Sequence, residues 1–156
     1  MFKFTYQTSF GPLTLAEENG LLTNCSFGNS PKLPQNAEVK ETALLKEAHR
    51  QLEEYFAGRR RTFDLPLAPR GTAFQQAVWQ ALLTIPYGQT ASYKEMAVKI
   101  GNPKACRAIG MANNKNPIGI IIPCHRVIGA DGKLVGYAGG LDIKQKLLAL
   151  EQMHSI

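Results

Sequence analysis

Cysteine is scarce in this chain. Its 156 residues hold three, Cys25, Cys106 and Cys124, widely spaced and without a C-x-x-C pair. Such an odd, scattered set argues against a disulfide framework and a cysteine-rich zinc site, and fits a reducing compartment. Long apolar runs are also missing. Nowhere do 18 apolar residues stand together, so no membrane span is expected. Met1-Phe2-Lys3-Phe4-Thr5 opens no extended apolar segment, so no signal peptide is expected either. There is no internal repeat and no low-complexity tract. With 44% hydrophobic and 19% charged residues, the chain can build a packed core, and wholesale disorder is not expected.

Acidic residues are scarce in one half only. Residues 1–69 carry eight Lys/Arg and eight Asp/Glu, whereas residues 70–156 carry ten and four, which accounts for the whole net charge of +6. A basic half joined to a neutral half suggests an anionic partner for the C-terminal part, with nucleic acid the leading candidate.

Strand signals fill the first 30 residues. Phe2, Phe4 and Tyr6 alternate with polar residues, Gly11-Pro12 makes a turn, and Asn19-Gly20 is a hairpin signal before Leu21–Phe27. A three-stranded antiparallel meander is expected. A helix is predicted over Ala37–Ala57, with Leu45, Ala48, Leu52, Tyr55 and Phe56 as its apolar stripe and Gly58 as its stop. The Arg59-Arg60-Arg61 run reads as a solvated helix end. Leu65-Pro66-Leu67-Ala68-Pro69-Arg70-Gly71 is the linker, where proline enrichment and the change in charge balance coincide. It separates an N-terminal domain, 1–68, from a C-terminal one, 70–156.

The second domain is mainly helical. Thr72 is predicted to cap a helix reaching about Leu83. Ser92-Tyr93-Lys94-Glu95 is a capping box opening a helix that ends at Gly101. Asn102-Pro103 is expected to restart a helix at once, which gives a helix-turn-helix. The second helix, Lys104-Ala105-Cys106-Arg107-Ala108-Ile109-Gly110-Met111-Ala112, has unusually small side chains apart from one arginine. Small residues suit close approach to a DNA minor groove, with Arg107 as an inserted group. They suit close helix packing equally well, and spacing alone does not separate the two. Asn113–Pro117 is predicted as a loop.

Next comes Ile118-Gly119-Ile120-Ile121-Ile122, predicted as a buried strand stopped by Pro123. Cys124 and His125 follow. Thiolates, not thiols, are nucleophiles, so a group near Cys124 must take or hold its proton. Neighbours on a strand face opposite sides, so the pair can cooperate only if the chain turns, which Pro123 favours. Asp131-Gly132 gives a hairpin turn, and Gly136-Tyr137-Ala138-Gly139-Gly140 can line a pocket by backbone contact. A last helix is predicted from Asp142 to Met153, with Ile143, Leu147 and Leu150 inward. Glu151 gains interest only if that helix packs behind Cys124.

Ile122-Pro123-Cys124-His125-Arg126-Val127 strongly resembles the active-site motif of the O6-alkylguanine-DNA alkyltransferases. The likeness runs in order from Gly71 to Glu151. It takes in Phe74-Gln75, Val78-Trp79, Ile85-Pro86, Gly88, Thr90, Ser92-Tyr93, Arg107-Ala108, Asn116-Pro117, Gly136-Tyr137 and Lys144. The resemblance implies an α/β (α+β) protein with a small, structural, ribonuclease H-like N-terminal domain before the helix-turn-helix domain. It implies a monomer that repairs DNA by single, irreversible transfer of a methyl or other alkyl group from O6-alkylguanine, and O4-alkylthymine, to Cys124 after base flipping. His125, acting through a water, and Glu151 would activate the thiol, and Tyr93 would assist departure of the base. Arg107 would fill the gap in the duplex, alongside Asn102, Lys104, Ala105, Cys106, Ala108 and Gly110 in the non-sequence-specific minor-groove contact. Asn116 would brace the active-site strand, and Arg126, Val127, Tyr137, Ala138 and Gly139 would line or support the pocket. No cofactor is implied. The zinc of some members is not expected, since residues 1–69 offer only Cys25 and His49. The place of action would be the cytoplasm, at the nucleoid of a prokaryote, or a eukaryotic nucleus. Ala138 stands where some members have serine, which removes one hydrogen bond to the base. Three rivals remain: a lesion sensor that binds without transfer, against which Cys124 speaks, a Cys-His hydrolase, and a plain helix-turn-helix regulator.

Overall fold

The computed structural model describes residues 1–28, 30–129 and 140–155. The chain divides into two compact units, residues 1–70 with 117–121, and residues 71–116 with 122–156.

In the first unit, β1 (Phe2–Thr8), β2 (Gly11–Glu18) and β3 (Leu21–Phe27) form the antiparallel meander. Asn19 and Gly20 both take left-handed backbone angles, φ 54° and 76°, as a tight two-residue hairpin turn requires. A short β4 (Glu38–Val39) adds a parallel edge beside β1, giving the order β3-β2-β1-β4. That edge corrects the expected helix start. Helix α1 covers Ala43–Phe56, and its N-cap is Thr42, whose hydroxyl accepts from the Leu45 amide. The stripe Leu45, Ala48, Leu52, Tyr55 and Phe56 is buried, with Leu13, Leu15 and Leu22 of the sheet in the same core. Gly58, at φ 77°, closes the helix.

Residues 117–121 correct a second expectation. The apolar run is not a strand. Ile118 makes one bridge to Cys25, with the Cys25 amide donating to the Pro117 carbonyl at 2.9 Å and the Gly119 amide to Cys25 at 2.9 Å. The chain then turns. Ile120 sits at φ 70°, a rare conformation for a β-branched residue. Its neighbours are as buried as predicted. Apolar runs report burial, and burial alone does not distinguish a strand from a packed turn.

The second unit begins with α2 (Ala73–Leu82), capped by a reciprocal Thr72–Gln75 box. Trp79 is buried and donates its indole N–H to the Ala112 carbonyl at 2.9 Å. After β5 (Ala91–Ser92), the Ser92–Glu95 capping box opens α3 (Tyr93–Lys99). Gly101 turns the chain at φ 79°. The next helix does not restart at Pro103. Residues 102–105 form a turn closed by the Ala105 amide on the Asn102 carbonyl, and α4 covers Cys106–Asn114 without a side-chain cap. Asn113 and Asn114, expected in a loop, are therefore its last turn. One 3-10 turn, Cys124–Arg126, leads into β6 (Val127–Ile128), which pairs in parallel with β5. Helix α5 covers Leu141–Met153. Among the described residues, no helix is long and apolar enough to cross a membrane.

Candidate active site

Pro123 shapes the approach to Cys124. At φ −81° and ψ 64° it ends the apolar segment, the Cys124 amide donates back to the Ile122 carbonyl at 2.8 Å, and the Arg126 amide donates to Pro123 at 3.0 Å. Cys124 and His125 thus lie on a helical turn and not on opposite faces of a strand. Two asparagines hold this backbone. Asn116 Nδ2 donates to the Ile122 carbonyl at 2.9 Å, and Asn113 Nδ2 to the Cys124 carbonyl at 3.3 Å. Cys124 is buried and is not part of a disulfide.

Behind it lies a buried ionic cluster. His125 Nε2 and Glu151 Oε2 are 2.7 Å apart, with both side chains within 1% of full burial. Arg126 grips the same carboxylate with two donors, Nε to Oε1 at 2.8 Å and Nη2 to Oε2 at 3.0 Å, and sends Nη1 to the Ile85 carbonyl at 2.7 Å. The Gly88 amide adds a fourth contact, at 3.2 Å to Oε1. Burial alone would raise the Glu151 pKa. The bonds from His125 and Arg126 outweigh it and bring the value down to about 2, so Glu151 is a carboxylate. Burial pushes the His125 pKa down, against the pull of Glu151, and leaves the imidazole neutral. The tautomer follows. A carboxylate accepts, so Nε2 carries the hydrogen and Nδ1 keeps its lone pair. Nδ1 is itself buried without a protein partner among the described residues. Arg126, expected at the pocket wall, is directed to Glu151. Val127 is buried and its carbonyl accepts from Lys144.

Helix α5 supplies a stripe that hydropathy did not reveal. Lys144, Leu147 and Glu151 point inward, whereas Ile143 and Leu150 are only half-buried. Lys144 has no exposed surface, and its Nζ donates to the Val127 carbonyl at 2.6 Å. Burial lowers its pKa, and negative charge on Cys124 pushes it back up. Lys144 thus stands within electrostatic reach of the sulfur. The sequence alone assigns Lys144 no role. The signal available in the sequence is its place three residues before Leu147 and seven before Glu151, on one helix face. Tyr93, in the first turn of α3, is half-buried. Burial and the Cys124 charge raise its pKa, while a hydrogen bond from Asn113 lowers it.

The outer face of α4 carries Cys106, Arg107, Ala108 and Met111, all exposed, while Ile109, Ala112 and Asn113 face inward. Cys106 and Ala108 therefore do not serve helix packing among the described residues. Asn102 and Lys104 are exposed on the preceding turn and Ala105 is half-buried. Gly110 faces the Tyr93 ring, where an added Cβ would lie 3.7 Å from Cε1. Tyr137, Ala138 and Gly139 lie outside the described residues, as does the Asp131-Gly132 turn. Among the described residues, no group of three or more His, Cys, Asp or Glu side chains is placed to hold a metal ion.

Two family models match. Residues 1–69 match "6-O-methylguanine DNA methyltransferase, ribonuclease-like domain", and residues 73–153 match "6-O-methylguanine DNA methyltransferase, DNA binding domain". The methylated-DNA–protein-cysteine methyltransferase of Methanosarcina acetivorans is 54% identical over 153 residues, covering 97% of this chain and 98% of its own. The constitutive enzyme of that name from Bacillus subtilis is 48% identical over 155 residues, covering 96% and 94%. The crystal structure of Mycobacterium tuberculosis OGT in complex with DNA superposes with a TM-score of 0.93 at 49% identity, covering 99% of this chain and 94% of that one. Both halves of the chain match: the chain belongs to the 6-O-methylguanine DNA methyltransferase family.

Proposed function

We propose that this protein repairs DNA by moving an alkyl group from the 6-oxygen of guanine to Cys124, once per molecule. The observation that carries this reading is the buried chain Cys124–His125–Glu151–Arg126, in which Glu151 fixes the imidazole with its lone pair on Nδ1. Nδ1 takes the thiol proton through a water, and the buried Lys144 ammonium steadies the thiolate left behind. The sulfur attacks the alkyl carbon. A carbon–sulfur bond forms, the carbon–oxygen bond breaks, and its electron pair leaves with the base. Tyr93 supplies a proton or hydrogen bond to that base as charge develops. The product is a thioether, which water does not cleave, so the thiol is not regenerated.

The lesion lies inside a stack and must be flipped out to meet Cys124. The outward face of α4 supports minor-groove docking, since Cys106 and Ala108 leave room for backbone approach and Arg107 extends from among them. Phosphate contacts from the basic C-terminal half supply affinity without sequence preference. This work belongs where DNA is, at the nucleoid in the cytoplasm of a prokaryote or in a eukaryotic nucleus.

The test is transfer from an oligonucleotide carrying labelled O6-methylguanine. The expected result is one methyl per chain, found on Cys124 by mass spectrometry. Cys124→Ala should bind the same DNA and accept nothing. Binding without covalent gain in the native protein would make it a lesion sensor, and repeated turnover would make it a hydrolase.

A further inference from the structure

The inward face of α4 carries one residue that packing alone does not explain. Ile109 and Ala112 are apolar there, and Asn113 beside them is 2% exposed. Its Oδ1 is buried, and no donor among the described residues reaches it. A buried acceptor left without a partner destabilises a fold. Turning the amide over would not help, because Oδ1 would then face the Cys124 carbonyl, acceptor against acceptor. A leucine, branched at the same atom, would fill the place without that loss. A packing rule broken beside a reactive residue points to a use.

The use lies in the bonds of the Cys124 peptide. Its N–H donates to the Ile122 carbonyl at 2.8 Å, and its carbonyl accepts from the Val127 N–H. Both bonds lie within the segment and fix the shape of the turn, but not its place. Asn113 Nδ2 reaches the same carbonyl at 3.3 Å from a different element. A carbonyl oxygen has two lone pairs and takes both donors. The end of α4 that makes this contact is itself held from α2, by the buried Trp79 indole on the Ala112 carbonyl at 2.9 Å. We propose that Asn113 is a positioning residue for the sulfur: it pins the Cys124 carbonyl to the last turn of α4, and so sets where the sulfur stands for attack on the alkyl carbon, at a loss of stability. Attack along one line tolerates little displacement of the reacting atom. Asn116, whose Nδ2 bonds the Ile122 carbonyl at 2.9 Å, supports the backbone two residues earlier.

This role rests on Cys124 as the alkyl acceptor. Native protein that takes no methyl from duplex O6-methylguanine would remove that reading, and the role with it. Where native transfer is measured, Asn113→Leu tests Asn113 alone, since it removes the bond and the lone acceptor together. Single-turnover transfer at saturating duplex should slow by about 10-fold or more, as a displaced reacting group requires. Free O6-alkylguanine should be slowed by the same factor, because the sulfur is displaced for both substrates. The urea midpoint should stay at or above the native one. Unchanged transfer, or slowing on the duplex alone, would overturn the proposal. Asn113 also hydrogen-bonds Tyr93, so the comparison is repeated in Tyr93→Phe protein, where Asn113→Leu should slow transfer by the same factor. Loss of the effect there would route it through Tyr93 and overturn the proposal. Should Asn113→Leu lose stability or fail to fold, Asn113→Ala and Asn113→His carry the test. Both change the native shape, but only histidine puts a ring N–H where Nδ2 stands. Asn113→His should transfer about 5-fold faster than Asn113→Ala, the effect of one hydrogen bond. Equal rates in the two would overturn the proposal.

Discussion

The two units of this chain handle charge in opposite ways. In the N-terminal unit, ion pairs stand on the outside of α1. Arg50 meets Glu47 at 2.7 Å and Glu54 at 3.3 Å, and Arg60 meets Glu54 at 2.9 Å, all with substantial solvent exposure. The carboxylate of Glu17, buried there, is held by the hydroxyl of Thr42, with no ion pair to it among the described residues. In the C-terminal unit, His125, Arg126, Lys144 and Glu151 are all buried around one cysteine. Removing ions from water costs several kcal/mol each, and their mutual attraction often fails to recover it. A chain that needed only stability would build the second unit as it builds the first. On the proposed mechanism, the buried cluster is instead the price of a reactive thiol and a neutral imidazole held in one tautomer.

The sharpest way to break that contrast is to remove a buried charge. Glu151→Gln keeps the shape but leaves Arg126 buried without its counter-ion. It should destabilise the fold by about 3–5 kcal/mol in urea melts, the usual cost of breaking a buried pair. Transfer should slow as well, since an amide holds the Nε2 hydrogen more weakly than a carboxylate does and so fixes the tautomer less firmly. A stable, fully active Glu151→Gln protein would reduce the cluster to decoration.

The motif residues around Cys124 were legible in the sequence because each one is a local, ordered signal. So were the two helix caps at Thr72 and Ser92, since a capping box is written in four residues. The roles of Lys144 and Asn113 were not. Both are polar residues on inward helix faces, and their partners, Val127 and Cys124, are 17 and 11 residues away. Hydropathy assigns such residues to solvent, and only packing reverses that. The turn at Ile120 and the β4 edge were hidden for a related reason. Each depends on pairing with a distant strand, Ile118 with Cys25 and Glu38 with Phe2.

Acid tests the same contrast without mutation. The Glu151 pKa is lowered in the folded protein from 4.5 to about 2, so its stabilisation is present above 4.5 and is lost as pH falls toward 2. The His125 pKa is lowered from 6.5, so the unfolded chain binds that proton first and stability also declines as pH drops below 6.5. The melting temperature should therefore fall from about pH 6.5 downward and most steeply below 4.5. Glu151→Gln should flatten the lower part of that curve. An unchanged acid slope in the variant would place the acid-sensitive groups elsewhere.

Arg107 sharpens the comparison at the surface, where the C-terminal half carries the whole net charge. Arg107→Ala should slow transfer from duplex DNA more than from free O6-alkylguanine, because only the duplex needs a side chain to hold it open. Binding to undamaged DNA should weaken slightly, with the salt slope reduced by about one. Equal slowing on both substrates would take Arg107 out of the groove.

The smallest effect is expected in the N-terminal unit, and its smallness is what the comparison requires. Arg50 is bonded to Glu47 through both Nε and Nη2, at 2.8 and 2.7 Å, which is as good as surface geometry becomes. Its side chain is nonetheless 55% exposed and that of Glu47 42%. Water screens the pair, and ordering two long side chains offsets much of what remains. Arg50→Ala should therefore cost no more than about 1 kcal/mol in urea melts, and less in high salt. Methyl transfer by this variant should match that of the native protein. A loss on the scale predicted for Glu151→Gln would show that exposed pairs on α1 carry as much stability as buried ones around Cys124. Burial would then no longer distinguish the charges that serve chemistry from those that do not.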